Sequence, residues 1–327
     1  MHSLLSRYAE AIYWMARYLE RAENLARILD VQETFNRDSR GGQNWSSVLE
    51  INADTDRFTE LHGEATAAGV IRFYILDETN STSILSSLRL ARENARTLRP
   101  LISTEMWSHI NIFYNSVRDM NPEEISEYRL SRICSRIKEG CQLQSGITEG
   151  TFYRAEGWLF YQLGRHIERA DQTTRLTDVK YHVVLPDIRD VGSPYDVSHW
   201  NAVLRSAAGY HAYRQVYPSG MHAAHVAGFL LFDPDFPRSV NVCVQASDRY
   251  LGLLRSKYRL RGTARTLELL DELRAELDRH DGESVIAEGL HEFVDGIQKQ
   301  LIAVSAELGQ AFFGYGAPAA EQTQSAA

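Results

Sequence analysis

The chain has 327 residues, and its 44% hydrophobic and 24% charged fractions are ordinary for a globular protein with a substantial core. Its formal net charge of −8 excludes an extensive electrostatic footprint on nucleic acid, and no run approaches the roughly 18 apolar residues of a membrane span. The N-terminus lacks a targeting pattern and the three cysteines lack disulfide or metal spacing, so we expect a cytoplasmic protein with free thiols and no membrane association.

Helical periodicity dominates the first half of the chain. An amphipathic helix is predicted from about residue 4 to residue 34, where turn-forming residues end it. A second helix should follow Trp45, and Pro100 closes another over residues 80–99. Ser103 has the features of a capping residue for the next helix.

Asn121-Pro122 marks a further helix start, because it joins a capping side chain to a proline at the first helical position. Helices are then expected near residues 150–180, 197–215, 238–260, 264–280 and 283–312. Residues 181–199 form the longest irregular connection, either an ordinary linker or a lid over a site, and Tyr181–Leu185 within it is the one candidate strand. Residues 314–327 are expected to form a disordered tail.

The sequence contains two versions of one helix, residues 17–31 and residues 165–179. Seven of the fifteen aligned positions are identical, where chance would give roughly one. The identical pairs are Arg17/Arg165, Glu20/Glu168, Arg21/Arg169, Ala22/Ala170, Arg27/Arg175, Asp30/Asp178 and Val31/Val179. Because most of these residues are charged, the repeat predicts specific polar contacts in addition to a shared apolar face.

The repeat continues downstream in the same order. The matching segments are residues 45–49 with 200–204 and residues 73–84 with 229–240. A duplicated unit whose loops change length produces this pattern. We therefore expect an all-α, internally duplicated helical bundle, in which residues 1–148 and 149–313 form two similar halves related by a pseudo-twofold axis.

The repeated charged residues form a stripe on each helix, and they are the candidate site. They are Arg17, Glu20, Arg21, Arg27 and Asp30 in the first copy, together with the polar Asn24, and Arg165, Glu168, Arg169, Arg175 and Asp178 in the second. If exposed, the stripes are solvated faces whose ion pairs add about 0.2–0.5 kcal/mol each. If the two helices face each other, Glu20 meets Arg169. By the same symmetry Glu168 meets Arg21, which gives either an internal lattice or a site where arginine forks bind a carboxylate or phosphate.

These motifs resemble the alpha-E family of bacterial helical proteins, which is named for a Glu-Arg motif. The residues that carry the resemblance are Leu5-Ser6-Arg7, Tyr13-Trp14, Arg17, Glu20 to Asn24, Arg27, Asp30, Gly164-Arg165, Glu168 to Asp171, Arg175 and Asp178. The resemblance covers about residues 1–313 and implies an all-α cytosolic protein. It also implies partnership with circularly permuted ATP-grasp ligases and transglutaminase-like peptidases, in forming or modifying amide bonds of peptides or small metabolites.

The second copy departs from the first at Asp171-Gln172, which replace Glu23-Asn24. Threonines also make its apolar face less hydrophobic. We therefore expect the second site to be less functional than the first.

Three functions fit these observations. We expect a non-catalytic helical partner, or a small-ligand-binding protein, that acts with an ATP-grasp amide ligase and binds an anionic molecule or peptide. The alternative is an enzyme in which Glu20 or Glu168 is the general acid or base and arginines hold the substrate. A second alternative is a structural scaffold in which the charged residues only set how the halves dock.

No cofactor and no metal are expected. The sequence has no P-loop and no glycine-rich dinucleotide loop after a strand. Glu288-x-x-His291 has the spacing of a di-iron ligand pair, but that chemistry needs a second such motif. His222-x-x-His225 is better explained by core or surface histidines.

Overall fold

The computed structural model describes residues 4–38, 44–184 and 194–315. Within these ranges the regular structure is helical and no strand occurs, so the all-α prediction is confirmed. The α-helices of the described ranges are α1 Ser6–Asp38, α2 Ser46–Ile51, α3 Thr55–His62, α4 Ala67–Ile75, α5 Ile84–Thr97, α6 Thr104–Arg118, α7 Glu127–Thr151, α8 Glu156–Val184, α9 Pro194–Ser206, α10 Tyr210–Val216, α11 Ala223–Leu231, α12 Val240–Tyr258, α13 Ala264–Asp278, α14 Gly282–Glu288 and α15 Leu290–Leu308. A 3-10 turn at Pro122–Glu124 precedes α7, and a π-helical turn at Gly309–Phe313 follows α15.

The two long helices α1 and α8 lie side by side at the centre of the molecule. They run in the same direction, since the start of α1 meets the start of α8 and later turns meet later turns. The backbone N–H of Leu4 donates to Glu156 at 2.9 Å, and the guanidinium of Arg21 contacts Glu168 at 2.7 Å. Helices α5 and α7 pack on α1, while α12 and α15 pack on α8, so each central helix has its own apolar surroundings.

Gly164 allows the two central backbones to approach closely. A Cβ added at Gly164 would stand 2.3 Å from the backbone carbonyl oxygen of Tyr13, which no side-chain rotation can move away. Gly157 lies about two turns earlier on α8, and the closest atom to its added Cβ would be the flexible end of the Ile12 side chain, at 2.9 Å. The crossing point of α1 and α8 therefore lies near Gly164, where only a glycine fits.

The helix bounds recur in the two halves of the chain. Helices α4 and α11 have nine residues each and begin 156 positions apart, and both lead to a serine cap of the next helix. Ser83 accepts from the backbone of α5 and Ser239 from that of α12, as capping serines do. Two similar halves would produce this order. Their origin by duplication and the division at residue 148 stay predictions.

Capping chemistry explains several of the helix starts that the sequence predicts. The side chain of Ser103 accepts a hydrogen bond from the backbone N–H of Met106, so its predicted capping role is confirmed. The side chain of Asn121 caps only the 3-10 turn, and α7 begins later, at Glu127. A proline and two acids at a capped start are therefore not enough to begin a long helix here.

Two other local predictions need correction. The strand predicted at Tyr181–Leu185 is wrong for residues 181–184, because α8 continues to Val184 and extending an existing helix is easier than pairing an isolated strand. The helix predicted over residues 197–215 is two helices, α9 and α10. They are separated where Ala208 takes a left-handed φ of 57°.

The predicted connection and tail lie partly outside the described residues. In the connection these are residues 185–193, and in the tail they are residues 316–327. Tyr315, which the sequence assigns to the tail, lies against α1, where its hydroxyl donates to Glu10 at 2.6 Å and accepts from Trp14 at 3.0 Å. The chain is therefore held to α1 as far as Tyr315.

Candidate functional site

Glu20 lies between α1 and α8 and is only 4% exposed. Arg169 of α8 binds it through two parallel hydrogen bonds, from Nε to Oε1 at 2.7 Å and from Nη2 to Oε2 at 2.9 Å. The Nε atom of Arg165 lies 3.9 Å from Glu20 Oε2. Two-pronged pairing of this kind fixes both the distance and the rotation of the facing helices.

Glu168 has the same surroundings with the two helices exchanged. It is fully buried, and Arg21 donates to it from Nε at 2.7 Å and from Nη2 at 3.0 Å. The Nε atom of Arg17 donates to the same carboxylate at 2.6 Å. Both cross-pairs predicted from the repeat are therefore present, and each Glu is held by arginines of the other helix.

The amides in the next turn also have matching roles. Asn24 donates from Nδ2 to Glu20 Oε1 at 3.2 Å, and Gln172 donates from Nε2 to Glu168 Oε1 at 3.2 Å. The longer side chain of Gln172 thus keeps the contact that Asn24 makes in the first copy. In this respect the second copy is as complete as the first.

One turn further, an arginine of each helix holds the end of a short helix. Arg27 pairs with Glu23 at 2.5 Å and also donates to the carbonyl of the last residue of α9. Arg175 pairs with Asp171 at 2.9 Å and donates to the carbonyl of the last residue of α2 at 2.9 Å. Since the last carbonyls of a helix lack partners within it, these bonds satisfy groups that would otherwise be orphaned.

Arg238 belongs to the site, although sequence reasoning did not find it. It lies just before α12, where its Nη1 donates to Glu20 Oε1 at 3.1 Å and its Nη2 donates to Glu23. The matching position 156 residues earlier is Thr82, so the repeat gave no signal for this arginine. Its place directly before the capping Ser239 is the feature that could have drawn attention to it.

We call this set of charged residues the Glu–Arg lattice. Within the described residues it consists of the carboxylates of Glu20, Glu23, Glu168 and Asp171 and the guanidinium groups of Arg17, Arg21, Arg27, Arg165, Arg169, Arg175 and Arg238. Positive groups outnumber negative ones by seven to four, and the Glu149 carboxylate at the edge, 3.4 Å from Arg165, reduces this surplus without removing it. The lattice is therefore electropositive.

The electrostatics of the lattice argue against the predicted acid–base role of its glutamates. Burial by itself would raise the pKa of Glu20, but Arg169 and the other arginines outweigh it and hold that pKa well below its usual range. The same balance lowers the pKa of Glu168 to about 2. A general acid or base needs a pKa near the working pH, so this arrangement disfavours an acid–base role for these two residues, and the enzyme alternative stays a prediction.

Two of the predicted charged site residues lie outside the lattice. Asp30 pairs with Lys138 of α7 at 2.7 Å, and Asp178 accepts from His291 of α15 at 3.0 Å. Both pairs tie a central helix to a flanking one. The structure therefore places these two aspartates in separate contacts with flanking helices, and their predicted ligand- or partner-binding role stays a prediction.

The remaining chemical signals of the sequence do not form a site. Glu288 contacts His280 at 3.4 Å, and the described residues contain no cluster of three or more His, Cys, Asp or Glu side chains that could hold a metal. The ring of His225 stacks on Tyr217 at 4.6 Å. All three cysteines are buried free thiols.

The sequence also matches a known protein family. Residues 4–313 match the family described as "A predicted alpha-helical domain with a conserved ER motif". The chain belongs to the Alpha-E family. Its Glu-Arg pairs at positions 20–21 and 168–169 are the centre of the lattice, which gives that motif a physical role in this protein.

Relatives of this Alpha-E chain occur in mycobacteria. An uncharacterized protein of Mycobacterium bovis and another of Mycobacterium tuberculosis are each 24% identical to it over 317 residues, which is 89% of this chain. The chain spans only 35% of the length of each of these relatives. No solved structure matches it. In the part of the chain that the structure describes, no helix is long and apolar enough to cross a bilayer.

Proposed function

We propose that this Alpha-E protein is a non-catalytic helical partner of an ATP-grasp amide ligase, and that its Glu–Arg lattice binds an anionic group of the ligase or of the ligase's substrate. The proposal rests on one observation, the surplus of guanidinium groups at the centre of the molecule. A carboxylate or phosphate is the chemistry that arginine forks recognise best. An amide ligase that uses ATP handles both groups.

Burial and the neighbouring arginines act together on Arg238. Burial, together with repulsion from Arg169, lowers the pKa of Arg238 to about 10, although two glutamates contact it. A buried cation that is destabilised in this way gains from an additional anion nearby. A bound carboxylate or phosphate would therefore offset part of the excess positive charge of the lattice.

One hydrogen-bond donor among the described residues of the lattice also lacks an acceptor. The Nε atom of Arg165 is buried and has no hydrogen-bond partner among the described residues. Its counterpart on the other helix, Arg17 Nε, is fully used by Glu168. An unpaired buried donor is costly, typically by about 1–3 kcal/mol, and an incoming anion would remove that cost. The neighbourhood of Arg165 is therefore the favoured binding position.

The lengths of the relatives support a role beside another polypeptide. In the mycobacterial relatives a segment like this one accounts for about a third of a longer chain. An all-helical unit with no acid–base pair at its centre fits an accessory part better than a self-contained enzyme. The family resemblance supports the choice of an ATP-grasp ligase as the partner.

The test combines purification with activity. The chain is co-expressed with an ATP-grasp ligase from the same genome, and ADP release is measured with and without the Alpha-E protein. The variant Arg21→Gln removes one of two arginines on Glu168 at a position whose side chain is 22% exposed. The matched control Arg96→Gln removes an arginine from an ion pair on α5 whose side chain is 67% exposed.

We expect the two proteins to purify together, and Arg21→Gln to reduce the effect on ligase activity at least tenfold while Arg96→Gln leaves it unchanged. Failure to associate, or equal activity of both variants in folded protein, would contradict the proposal.

The scaffold hypothesis is the second candidate, because the same lattice saturates both glutamates with reciprocal forks. In that case Arg21→Gln lowers the melting temperature without changing ligase activity.

A further inference from the structure

The chain that follows α15 folds back onto α1 through residues Gly309–Tyr315, which we call the return turn. Gly309–Phe313 form the π-helical part, and Gly314 ends it in the left-handed region at φ 80°. The ring of Tyr315 lies against Gly309, where an added Cβ would be 2.2 Å from the ring. Glycine suits both places, one for its conformation and the other for its lack of a side chain. Turns of the π type are rare and are frequent at functional sites.

The hydroxyl of Tyr315 anchors the return turn to α1. It donates to Glu10 Oε1 at 2.6 Å and accepts from the indole Nε1 of Trp14 at 3.0 Å. Burial and the hydrogen bond to Glu10 raise the pKa of Tyr315 to about 12, so the hydroxyl keeps its proton at neutral pH. One oxygen atom therefore holds both the acidic side chain and the indole.

The indole that Tyr315 holds lies against an arginine of the Glu–Arg lattice. The guanidinium carbon of Arg17 is 4.8 Å from the centroid of the Trp14 ring. Arg17 Nη1 also donates to the hydroxyl of Tyr13 at 3.1 Å and to the hydroxyl of Ser305 on α15. The side chain of Arg17 is only 11% exposed. The return turn and α15 together thus close this end of the lattice.

The end of the lattice near Arg165 is built differently. The position on α8 that matches Trp14 is Gln162, which has no indole to lay over Arg165. Gln162 instead donates to Glu149 at 3.2 Å. The cover over Arg17 therefore does not follow from the repeat, and it distinguishes one end of the lattice from the other.

The closure over Arg17 can be reversed at little cost. Tyr315 is 41% exposed, and hydrogen bonds at such a position contribute little net stability because water can replace them. A cavity of about 480 Å³ lies beside Trp14 between α1 and α5, with Tyr315 on its rim. The charged groups of its lining have both signs, namely Glu10, Glu93 and Arg7. The charge of this cavity therefore selects no ligand, but its space lets the indole turn away from the lattice.

We propose that the return turn is a latch over Arg17. When Tyr315 leaves Trp14, the indole turns aside and Arg17 becomes a second anion position of the lattice, in addition to the one near Arg165. An anion can compete for Arg17 Nη1, because it adds an ionic attraction that the neutral hydroxyl of Ser305 lacks. The latch rests on the proposed function only for the identity of its ligand, a carboxylate or phosphate.

The experiment uses the full-length chain, with inorganic phosphate as the probe. Tyr315→Phe removes the hydroxyl that makes both hydrogen bonds, and Gly309→Ala displaces the ring itself. Tyr128→Phe is the matched control, because the side chain of Tyr128 is fully exposed on α7. The fluorescence of Trp14 is obtained as the difference from the same protein carrying Trp14→Phe. Acrylamide quenching then reports the exposure of the indole, and a phosphate titration reports binding at Arg17.

A ligand that binds only the open form loses apparent affinity in proportion to the closed fraction. We therefore expect both latch variants to raise the quenching constant of Trp14 at least about twofold and to lower the half-saturating phosphate concentration at least about fivefold. The control should match the wild type in both measurements.

Unchanged quenching and an unchanged phosphate midpoint in both latch variants would overturn the latch, and so would increased quenching with an unchanged midpoint. In either case phosphate binding to the wild type, measured by calorimetry, would still support the proposed function. If calorimetry detects no phosphate binding to the wild type or to the latch variants, anion binding by the lattice fails, and the gating of Arg17 fails with it.

Discussion

Replacing Gly164 with alanine should destabilise the protein by forcing α1 and α8 apart. The new Cβ would stand 2.3 Å from the carbonyl oxygen of Tyr13 and 3.0 Å from its carbonyl carbon. Because relaxed contacts between non-bonded carbon atoms lie at about 3.5–4.0 Å, the two backbones would have to separate by roughly 1 Å. The obstructing atoms belong to the backbone of a long helix, so no local adjustment of a side chain relieves the clash.

The expected magnitude follows from two opposing contributions. Overpacking of a well-packed interior costs about 1–3 kcal/mol, and here it also strains the fork between Arg169 and Glu20, where Nε and Oε1 are 2.7 Å apart. Alanine is better than glycine within a helix by about 0.5–1 kcal/mol. We therefore expect Gly164→Ala to lower the free energy of unfolding by about 1–2 kcal/mol.

Gly146 on α7 provides the control, because nothing lies within 4 Å of the Cβ that an alanine would add there. Gly146→Ala should raise the free energy of unfolding by about 0.5–1 kcal/mol through helix propensity alone. Urea denaturation followed by circular dichroism measures both variants. If Gly164→Ala is as stable as the wild type, the close crossing of α1 and α8, and with it the geometry of the Glu–Arg lattice, is refuted.

Acid should destabilise the fold in two steps that melting curves at several pH values can separate. Burial and Arg169 lower the pKa of His166 to about 3 in the folded protein. Between about pH 6.5 and pH 3 only the unfolded chain therefore binds this proton, and the stability of the fold decreases as the pH falls. The variant His166→Gln should remove that step. Glu168, whose pKa is about 2, keeps its stabilising charge above about pH 4.5 and should lose it towards pH 2. A melting temperature that does not change with pH would contradict both assignments. Glu168→Gln should cost about 3–5 kcal/mol in denaturation experiments at pH 7, because it leaves buried arginines without their counter-charge. Burial raises the pKa of all three cysteines, so Ellman's reagent should label them only after unfolding, and rapid labelling of native protein would argue against their placement.

The helical class and the centre of the site could be predicted from sequence because one periodic signal encodes both. The two copies of the Glu-Arg motif lie on helices of period 3.6, so an identical register implies that Glu20 and Glu168 occupy equivalent positions. The reciprocal pairing with Arg169 and Arg21 then follows from symmetry alone. The sequence could not show whether the stripes face solvent, because a hydrophilic face and a buried lattice have the same composition.

The parts that sequence reasoning missed depend on contacts between distant segments. Arg238 lies in a connection without periodicity, and it joins the site only because α12 packs on α8. Similarly, Asp30 and Asp178 share the register of the motif but are drawn to different flanking helices, α7 and α15.

The Glu–Arg lattice has a consequence for the folding of the protein during its synthesis on the ribosome. Its ion pairs join partners far apart in the chain, such as Arg17 and Glu168, which are separated by 151 positions. At about 5–20 residues per second, translation needs roughly 8–30 s to deliver the complementary helix after the first has emerged. During that interval the acidic side chain of the nascent α1 that is buried in the folded protein has no arginine of α8 to pair with. Newly made N-terminal segments should therefore stay open and accessible to chaperones until α8 arrives.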